Sequence, residues 1–535
     1  MYCKNCGAQN SDSATFCFSC GCKLKDNASS NTPPGFVPSG KVKNKKSIFP
    51  KIAVFMAVLL VVSIAIAAYV GLSSNPKLKL GKTTDEVIVL IPNNGGVVSV
   101  SDPSSKIDGF SITVNPGTYN GDTNFDIKTT EITGHTFGEE FNPITPLITV
   151  NNGHEFSARP MIVTVPIDVT DDEFAMGFYY DRKTGKLEAI PHIDYGSDQI
   201  TLLTNHFSDI VVSKISIAEL EKLTDNTKNQ ADSGFEPGKD DWQFINYGSS
   251  VAPGGHCAGQ SLSMMWYYQE IYKEKAEPRL YGRYDNNGEK KTENFWLDDS
   301  GAYRFASAVQ HNIDWMSLEF HNYLDFSREN QKRVFYAFGY AILVTGSPQF
   351  MGIYHFDDYG NIAGGHAIVA YKVEGNKIYV ADPNYPGQKD RYCELGSDGF
   401  KPYSSGANAA DISENGGVLY TEMNFIAGSA LVNYNIIQQQ YSDMLDGKAG
   451  NGIFPDTKVE IMTTYNVNLD NAVWSTELKL SLDKDYNESL PANKKDTAFI
   501  RLTPLANNLY YSLYKNGSTI AEQDPVFFVS DGIIY

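Results

Sequence analysis

An uncharged run at residues 52–72 divides the chain into a short N-terminal part and a long C-terminal part. As a helix, a run of this length crosses the hydrocarbon core of a bilayer. It is too long for the apolar core of a cleavable signal peptide, and a cysteine-rich segment precedes it. The sequence therefore predicts one transmembrane helix at 52–72, with separately folded parts on its two sides.

A lysine cluster at 41–46 adjoins the N-terminal end of this run. Positive charge stays on the cytoplasmic side of a membrane, so residues 1–51 are predicted to be cytoplasmic and residues 73–535 extracellular. The lysines could also bind anionic lipid, although the topology signal is a sufficient explanation for them. We expect a single-pass protein of the cell membrane whose bulk lies at the cell surface.

Most of the seven cysteines lie at the N-terminus, in two Cys-x2-Cys pairs separated by ten residues. Four thiolates in tetrahedral geometry bind zinc and can fold a segment that is too short for its own core. The predicted ligands of this structural zinc are Cys3, Cys6, Cys17 and Cys20, and Cys22 could replace Cys20. Residues 1–24 resemble the zinc-ribbon heads of bacterial membrane proteins, which implies a structural cap or a docking module for a cytoplasmic partner.

Charge is distributed unevenly along the chain. Residues 1–51 carry eight Lys and two Asp, a net charge of +6, which leaves −25 for the remaining residues of a chain whose total is −19. A strongly acidic main body argues against nucleic-acid binding and suits a solvated surface outside the cell. Within the basic part, residues 25–51 lack hydrophobic periodicity and are predicted to be a flexible linker.

Short β-branched segments separated by turn residues follow the membrane run and recur near the C-terminus. They predict a β-sandwich at 73–215 and a second one at 446–535, joined to the middle of the chain by a connector at 216–241. Ser216 and Glu219 form a capping-box pattern that opens a short helix in the connector. The clearest predicted strands are 87–91, 112–114, 161–165, 178–180 and 459–462.

The middle of the chain contains a cysteine between small residues, GGHCAGQS at 254–261, followed by a helical pattern to residue 272. Cys257 would lie in the first turn of this helix. There, unpaired backbone N–H groups and the positive end of the helix dipole favour a thiolate over a thiol. Cys257 is therefore the candidate nucleophile, whereas the adjacent His256 points elsewhere and is interpreted as a loop residue.

A candidate base lies about a hundred residues further on. Segments 364–373 and 377–384 read as two strands joined by a tight turn, so the hairpin brings His366 close to Asp382 or Asn384. The register of the turn decides which of the two shares a face with His366, and the sequence leaves both open. Either side chain could orient the imidazole toward Cys257 in a nucleophilic Cys–His arrangement.

These motifs resemble the papain-like cysteine peptidases of the bacterial type that includes the double-glycine leader peptidases. The resemblance covers 242–431 and rests on Phe244-x-Asn246, the Cys257 turn, an apolar strand at 339–344, Gly365-His366-Ala367 and Asp382-Pro383. It implies an α+β peptidase domain at 242–445 with Cys257 as nucleophile, His366 as base and Asp382 as orienting residue. Within this domain, 327–338 is predicted to be a helix and 340–345 a buried strand.

One position departs from the family pattern. Papain-like enzymes usually carry an oxyanion-stabilising glutamine six residues before the cysteine, and this chain has Val251 there. Asn246 is the first candidate replacement, with Gln243 and the backbone N–H of Cys257 as alternatives.

The resemblance implies a cysteine peptidase that acts on peptides or proteins, with no cofactor for catalysis, and the predicted membrane span makes it a multidomain, membrane-anchored protein with this domain outside the cell. Two other functions remain open: transglutaminase-like acyl transfer, and an inactive surface protein for adhesion or peptide binding. A structural disulfide between Cys257 and Cys393 is the alternative explanation of the two cysteines beyond residue 22.

Overall fold

The chain divides into two compact units, Met1–Ser74 and Asn75–Tyr535, and the computed structural model describes residues of the second unit only. The zinc ribbon, the linker and the predicted membrane span lie outside the described residues. No helix among the described residues has the length and apolarity needed to cross a membrane. The described residues are 77–534 except 155, 226–230, 250, 253, 285–299, 314–317, 358, 455–457, 465, 467–470, 476–489, 491, 493–499, 504–512, 516–517, 522–528 and 531–532.

The first part of the described chain consists of twelve strands in two sheets. One sheet has the order β1-β4-β6-β12-β8-β9, with β5 added on β12, and the other has the order β10-β11-β7-β3-β2. The strands are β1 Leu78–Ile91, β2 Gly96–Ser99, β3 Ser111–Val114, β4 Thr123–His135, β5 Asn142–Pro143, β6 Leu147–Asn151, β7 Met161–Pro166, β8 Glu173–Tyr180, β9 Leu187–Ile190, β10 His192–Tyr195, β11 Gln199–Thr204 and β12 Asp209–Ser216.

The inner faces of these two sheets enclose one hydrophobic core. Phe125 and Ile210 from the first sheet and Ile112 and Val163 from the second are completely buried in it. Alternation of buried and less buried residues along β7 is the period-2 pattern that the sequence shows. The predicted strands at 87–91, 112–114, 161–165 and 178–180 are therefore confirmed, and this part of the chain is a β-sheet structure.

The connector begins with helix α1, Ile217–Asp225. The hydroxyl of Ser216 accepts a hydrogen bond from the backbone N–H of Glu219 and donates to its carboxylate, both at 3.1 Å. The predicted N-cap is confirmed, since the Ser216 hydroxyl satisfies one backbone N–H of the first turn, whereas the Glu219 carboxylate accepts from that hydroxyl and not from the Ser216 backbone N–H.

The middle of the chain combines helices with a six-stranded antiparallel sheet of order β17-β16-β15-β14-β13-β20 and a short β18–β19 hairpin. The helices are α2 Cys257–Trp266, a π-helix Tyr267–Lys273, α3 Ser300–His311, α4 Leu318–Glu329, α5 Gln331–Thr345, α6 Ala409–Asn415, α7 Gly428–Leu431 and α8 Tyr434–Leu445. The strands are β13 Gln349–Phe356, β14 Ile362–Glu374, β15 Lys377–Ala381, β16 Tyr392–Gly396, β17 Gly399–Phe400, β18 Tyr403–Ser405, β19 Val418–Tyr420 and β20 Glu422–Ile426.

The predicted strand at 339–345 is wrong, because these residues form the second half of helix α5. The strand that precedes β14 is β13, which follows a left-handed Gly346 at the helix end. An apolar run this short fits either a buried strand or a buried helix. Helix α5 is buried along nearly its whole length, so it lacks the polar face that normally reveals a helix.

Helix α5 is so apolar because it packs on two sheets. One hydrophobic cluster contains Phe174 and Phe178 from β8, Tyr340 from α5 and Ile368 from β14. The Tyr340 hydroxyl lies 2.8 Å from the Ser213 hydroxyl of β12 and donates to the backbone oxygen of Glu140. The sandwich and the middle of the chain therefore share a continuous core, although the sequence suggests two separate domains.

The described part of residues 446–535 contains further strands. They are β21 Lys458–Thr464, β22 Val473–Ser475, β23 Ile500–Thr503, β24 Leu513–Lys515, β25 Ser518–Ala521, β26 Val529–Ser530 and β27 Ile533–Ile534. Five of them form a sheet of order β22-β21-β23-β27-β26, and β24 pairs with β25. The strand at 459–462 is confirmed, and a complete second sandwich stays a prediction.

Candidate active site

Cys257 is the first residue of helix α2, as the sequence predicts. The residue is half-buried and its thiol is free. The residue before the helix, His256, makes no capping bond with its side chain, and the backbone N–H of Cys257 makes no hydrogen bond within the described part of the chain. The sulfur therefore lies beside unpaired N–H groups and the positive end of the helix dipole.

The turn before Cys257 depends on its two glycines. Gly254 has φ +87° and Gly255 has φ +135°, backbone conformations that side chains disfavour. A Cβ atom on Gly255 would lie 2.9 Å from the backbone oxygen of Ala407 and 3.0 Å from the side-chain oxygen of Asn246. The chain can therefore pass closely between these groups only with glycine at this position.

Asn246 holds this turn in place through two side-chain hydrogen bonds. Its side-chain oxygen accepts a hydrogen bond from the backbone N–H of His256 at 2.6 Å, and its amide donates to the Ala407 oxygen at 2.9 Å. The residue is completely buried. These contacts show that Asn246 positions the residues before Cys257; its role as an oxyanion donor stays a prediction, as does that of Gln243.

His256 is a buried structural residue of the same turn. The Gln260 amide donates to its Nε2 at 2.8 Å, which requires that nitrogen to be unprotonated, and Nδ1 lies 3.4 Å from the Ser307 hydroxyl. Complete burial lowers the pKa of His256 to about 3, so the ring is neutral. His256 is therefore an anchor of the helix start and not a base.

Gly259 allows helix α3 to approach the catalytic helix closely. A Cβ atom at this position would lie 1.9 Å from the backbone oxygen of Ala306. The Gly259 N–H donates to the side chain of Gln310 at 2.8 Å. Both contacts fix α2 against α3 at the turn that carries Cys257.

We expect Gly259→Ala to destabilise the protein by about 2 kcal/mol, because the methyl group can fit only if the two helices separate. Thermal unfolding of the full chain measures the effect. Gly121→Ala is the matched control, since a Cβ atom there meets nothing within 4 Å. Equal unfolding temperatures for the two variants would contradict the close approach of the helices.

The hairpin β14–β15 places His366 and Asp382 in direct contact. The His366 Nε2 lies 2.8 Å from Oδ1 of Asp382, and both side chains are completely buried. The other ring nitrogen, Nδ1, is buried and has no hydrogen-bond partner among the described residues. It is therefore the nitrogen left to interact with the Cys257 sulfur, whose charge acts on His366.

The structure brings both Asp382 and Asn384 to His366, whose Nε2 lies 2.8 Å from Oδ1 of Asp382 and 3.4 Å from the side-chain amide nitrogen of Asn384. Strand pairing matches Val369 with Ala381, so continued regular pairing would place His366 opposite Asn384. The chain turns after β15 instead, and the Tyr385 N–H donates to the backbone oxygen of Asp382 at 2.8 Å. This turn carries the Asp382 carboxylate to the His366 ring. Asn384 supports the turn by donating its backbone N–H to Oδ1 of Asp382 at 2.9 Å.

Electrostatics favour a charged His366–Asp382 pair. Burial alone would lower the pKa of His366, but the Asp382 carboxylate and the Cys257 sulfur outweigh burial and raise it to about 10. Burial would likewise raise the pKa of Asp382, but the charges of His366 and Arg391 outweigh burial and lower it to about 2. The site can therefore hold an imidazolium beside the nucleophile at neutral pH.

Three residues around Asp382 escaped the sequence interpretation. The Tyr403 hydroxyl and the Ser405 hydroxyl donate to Oδ2 at 2.8 Å and 2.9 Å, and Nε of Arg391 lies 3.7 Å from the same oxygen. Tyr403 and Ser405 come from the β18–β19 hairpin, whose position no local pattern predicts. The nearest sequence signal is the alternating pattern of these two residues, which places both on one face of a strand.

Two buried tyrosines, Tyr354 and Tyr420, lie close enough to Cys257 for its charge to act on them. Burial raises the pKa of both Tyr354 and Tyr420, and the charge of Cys257 raises each further. The Tyr420 ring centre lies 6.2 Å from that of His366, and its buried hydroxyl has no partner among the described residues. The Tyr420 ring therefore lies beside the His366 imidazole.

The alternative of a disulfide between Cys257 and Cys393 is wrong, because both thiols are free. Cys393 is buried on β16, where its sulfur lies 3.8 Å from that of Met351. Cys393 is therefore a packing residue of the sheet.

Residues 2–24 match the zinc-ribbon domain family. The four thiols predicted as ligands fall within this match, and a set of four cysteine thiolates is the donor chemistry of a structural zinc site, so the N-terminal segment is a zinc ribbon. Among the described residues, no group of His, Cys, Asp or Glu side chains is arranged to hold a metal. No curated protein matches the chain.

Proposed function

We propose that this protein is a papain-like cysteine peptidase, anchored in the cell membrane and acting on peptides or proteins outside the cell. The observation that carries the proposal is a buried His366 whose Nε2 contacts Asp382, whose Nδ1 is left without a hydrogen-bond partner among the described residues, and on which the charge of Cys257 acts. A nucleophile, a base and an orienting acid in this order are the components of Cys–His–Asp catalysis.

The reaction follows from the positions of these groups. The Cys257 thiolate attacks the peptide carbonyl, the C–N bond breaks, and the His366 imidazolium donates its Nδ1 proton to the leaving amine. A thioester to Cys257 remains. Water then gives a proton to His366 as it attacks the thioester, which releases the acid product and restores the Cys257 thiolate and the His366 imidazolium.

The backbone N–H of Cys257 is the best supported oxyanion donor, because it lies at the free end of helix α2 and has no partner among the described residues. Asn246 remains a second candidate, although its amide already donates to Ala407. A donor at the nucleophile itself stabilises the negative charge that develops on the carbonyl oxygen.

The proposed location rests on the sequence. The uncharged run at 52–72 follows a lysine cluster, and the zinc ribbon precedes both. In this arrangement the zinc thiolates lie in the reducing cytoplasm, and the free thiol of Cys257 lies outside the cell.

The pH dependence of Cys257 alkylation tests the proposed chemistry. We expect iodoacetamide to label Cys257 of the full chain rapidly at about pH 6, where an ordinary thiol with a pKa of about 8.5 is almost wholly protonated. The charged His366 explains this reactivity, so His366→Ala should abolish it. Mass spectrometry without reductant measures labelling at each cysteine, and buried Cys393 is the internal control.

Slow labelling with the profile of an ordinary thiol would overturn the peptidase proposal and favour an inactive peptide-binding protein. If labelling is rapid, a peptide mixture separates the two catalytic possibilities. New carboxyl termini are the products of hydrolysis, whereas isopeptide bonds would show that an amine resolves the thioester in a transglutaminase-like reaction.

A further inference from the structure

A cation lies behind the orienting acid of the candidate site. The Arg391 guanidinium is held between two aromatic rings, 3.7 Å from the ring centre of Tyr385 and 4.8 Å from that of Tyr403. Its Nε donates to the Tyr403 hydroxyl at 2.6 Å, and its Nη2 donates to the backbone oxygen of Ser404. These contacts fix a side chain that is only 18% exposed.

The fixed guanidinium acts on Asp382 in two ways. Its Nε lies 3.7 Å from Oδ2 of Asp382, a distance at which opposite charges attract strongly in a buried site. It also donates to the Tyr403 oxygen, and the Tyr403 hydroxyl donates to Oδ2 at 2.8 Å. Because hydrogen bonds in a chain polarise one another, this relay strengthens the bond that Tyr403 makes to the carboxylate.

Asp382 shares its carboxylate among several partners besides His366. Oδ1 interacts with His366 and accepts from the Asn384 N–H, while Oδ2 accepts from Tyr403 and Ser405. A carboxylate bound only to the imidazole would hold the imidazolium more strongly. A general acid that is held too strongly donates its proton poorly to a leaving amine.

We propose that Arg391 is a positioning residue that sets the proton affinity of the Cys257–His366 pair by acting through Tyr403 and Asp382. This inference rests on the proposed function and names Arg391 as the residue that adjusts the proton affinity of its catalytic pair. The cation keeps Asp382 ionised and oriented, and its positive charge offsets part of the carboxylate's pull on the imidazolium. His366 can then protonate the leaving group and recover the proton at neutral pH.

The titratable groups around the pair come from several elements. They are Cys257 of α2, Tyr354 of β13, Asp382 and Tyr385 of the turn after β15, Cys393 of β16, Tyr403 of β18 and Tyr420 of β19. Arg391 is the cation of this set. Removing a nearby positive charge makes every acid in the set hold its proton more tightly. In a plot of the Cys257 alkylation rate against pH, both the acid limb and the alkaline limb should therefore move to higher pH.

The test measures the alkylation rate of Cys257 against pH in full-length variants, which requires no substrate. We expect Arg391→Met to move both limbs upward by about one pH unit. Arg391→Lys keeps the charge, so its profile should stay near that of the wild type. Lys389→Met is the matched control, because this lysine is 57% exposed and pairs with Glu236 in water, where its charge is screened.

Tyr403→Phe covers the possibility that Arg391→Met does not fold. This change keeps the ring and removes one donor from Asp382, so the carboxylate holds the imidazolium more strongly. We expect the alkaline limb to move upward by a fraction of a pH unit. An Arg391→Met profile that matches the wild type, an equal shift in Arg391→Lys, or an unchanged alkaline limb in Tyr403→Phe would overturn the proposal.

The results separate the two proposals. Shifted profiles in a protein that cleaves no peptide would support the role of Arg391 and remove the peptidase function. Peptide cleavage together with a pH profile that Arg391→Met leaves unchanged would support the peptidase function and remove the role of Arg391. A wild-type Cys257 with the pH profile of an ordinary thiol would overturn both.

Discussion

Replacing Cys257 by alanine is expected to abolish turnover of any peptide substrate, with a loss in kcat/KM of about 10⁴-fold or more, because no thioester can form without the sulfur. The fold should be retained. Cys257 is half-buried at a helix start, so losing its sulfur should change the free energy of unfolding by less than about 1 kcal/mol. Peptide turnover and thermal unfolding of the full chain measure the two effects.

Cys393→Ala is the matched control for this change. Cys393 is 1% exposed and packs against Met351, so the substitution should cost about 1–2 kcal/mol of stability while turnover below the unfolding temperature stays unchanged. Undiminished turnover by Cys257→Ala would show that Cys257 is not the nucleophile. If Cys257→Ala still binds peptides without turnover, the variant can be used to capture substrates.

Replacing Asp382 by asparagine is expected to reduce kcat by about 10³–10⁴-fold, because the amide no longer fixes the imidazole with its free nitrogen toward Cys257. Stability should fall as well. Tyr403, Ser405 and the Asn384 N–H all donate to this side chain, and an amide group accepts fewer of these bonds. Because Arg391 also loses the negative charge that faces it, we expect the free energy of unfolding to fall by about 3–5 kcal/mol.

The stability loss in Asp382→Asn should depend on pH in a defined way. The raised pKa of His366 gives stability that is complete below its ordinary value of 6.5 and disappears as pH rises toward about 10. The lowered pKa of Asp382 gives stability that is complete above 3.8 and disappears as pH falls toward about 2. The difference in unfolding temperature from the wild type should therefore be largest between these two ordinary values.

Asp390→Asn is the control for this series, since Asp390 is exposed on the same loop. It should leave both turnover and the pH dependence of unfolding unchanged. A stability difference for Asp382→Asn that stays constant from acid to alkaline pH would contradict a charged His366–Asp382 pair.

The sequence alone determined the elements that depend on neighbouring residues. Glycines before Cys257 and the helical pattern after it place the cysteine at a helix start, and the short turn after Glu374 makes the hairpin that carries His366. The zinc ribbon is likewise encoded by the spacing of four cysteines, and residues 2–24 match that family. Such features need few residues and a fixed local geometry.

Tertiary structure alone decided the features that depend on distant packing. Residues 340–345 are helical because α5 lies between two sheets, where an apolar helix and an apolar strand look alike in sequence. Asp382 contacts His366 at 2.8 Å and Asn384 contacts it at 3.4 Å, because the chain turns immediately after Ala381 and brings both side chains to the same ring nitrogen. Arg391 reaches the acid from the residue before β16 and Tyr403 from β18, since strand pairing and hairpin packing bring together residues that no local pattern links.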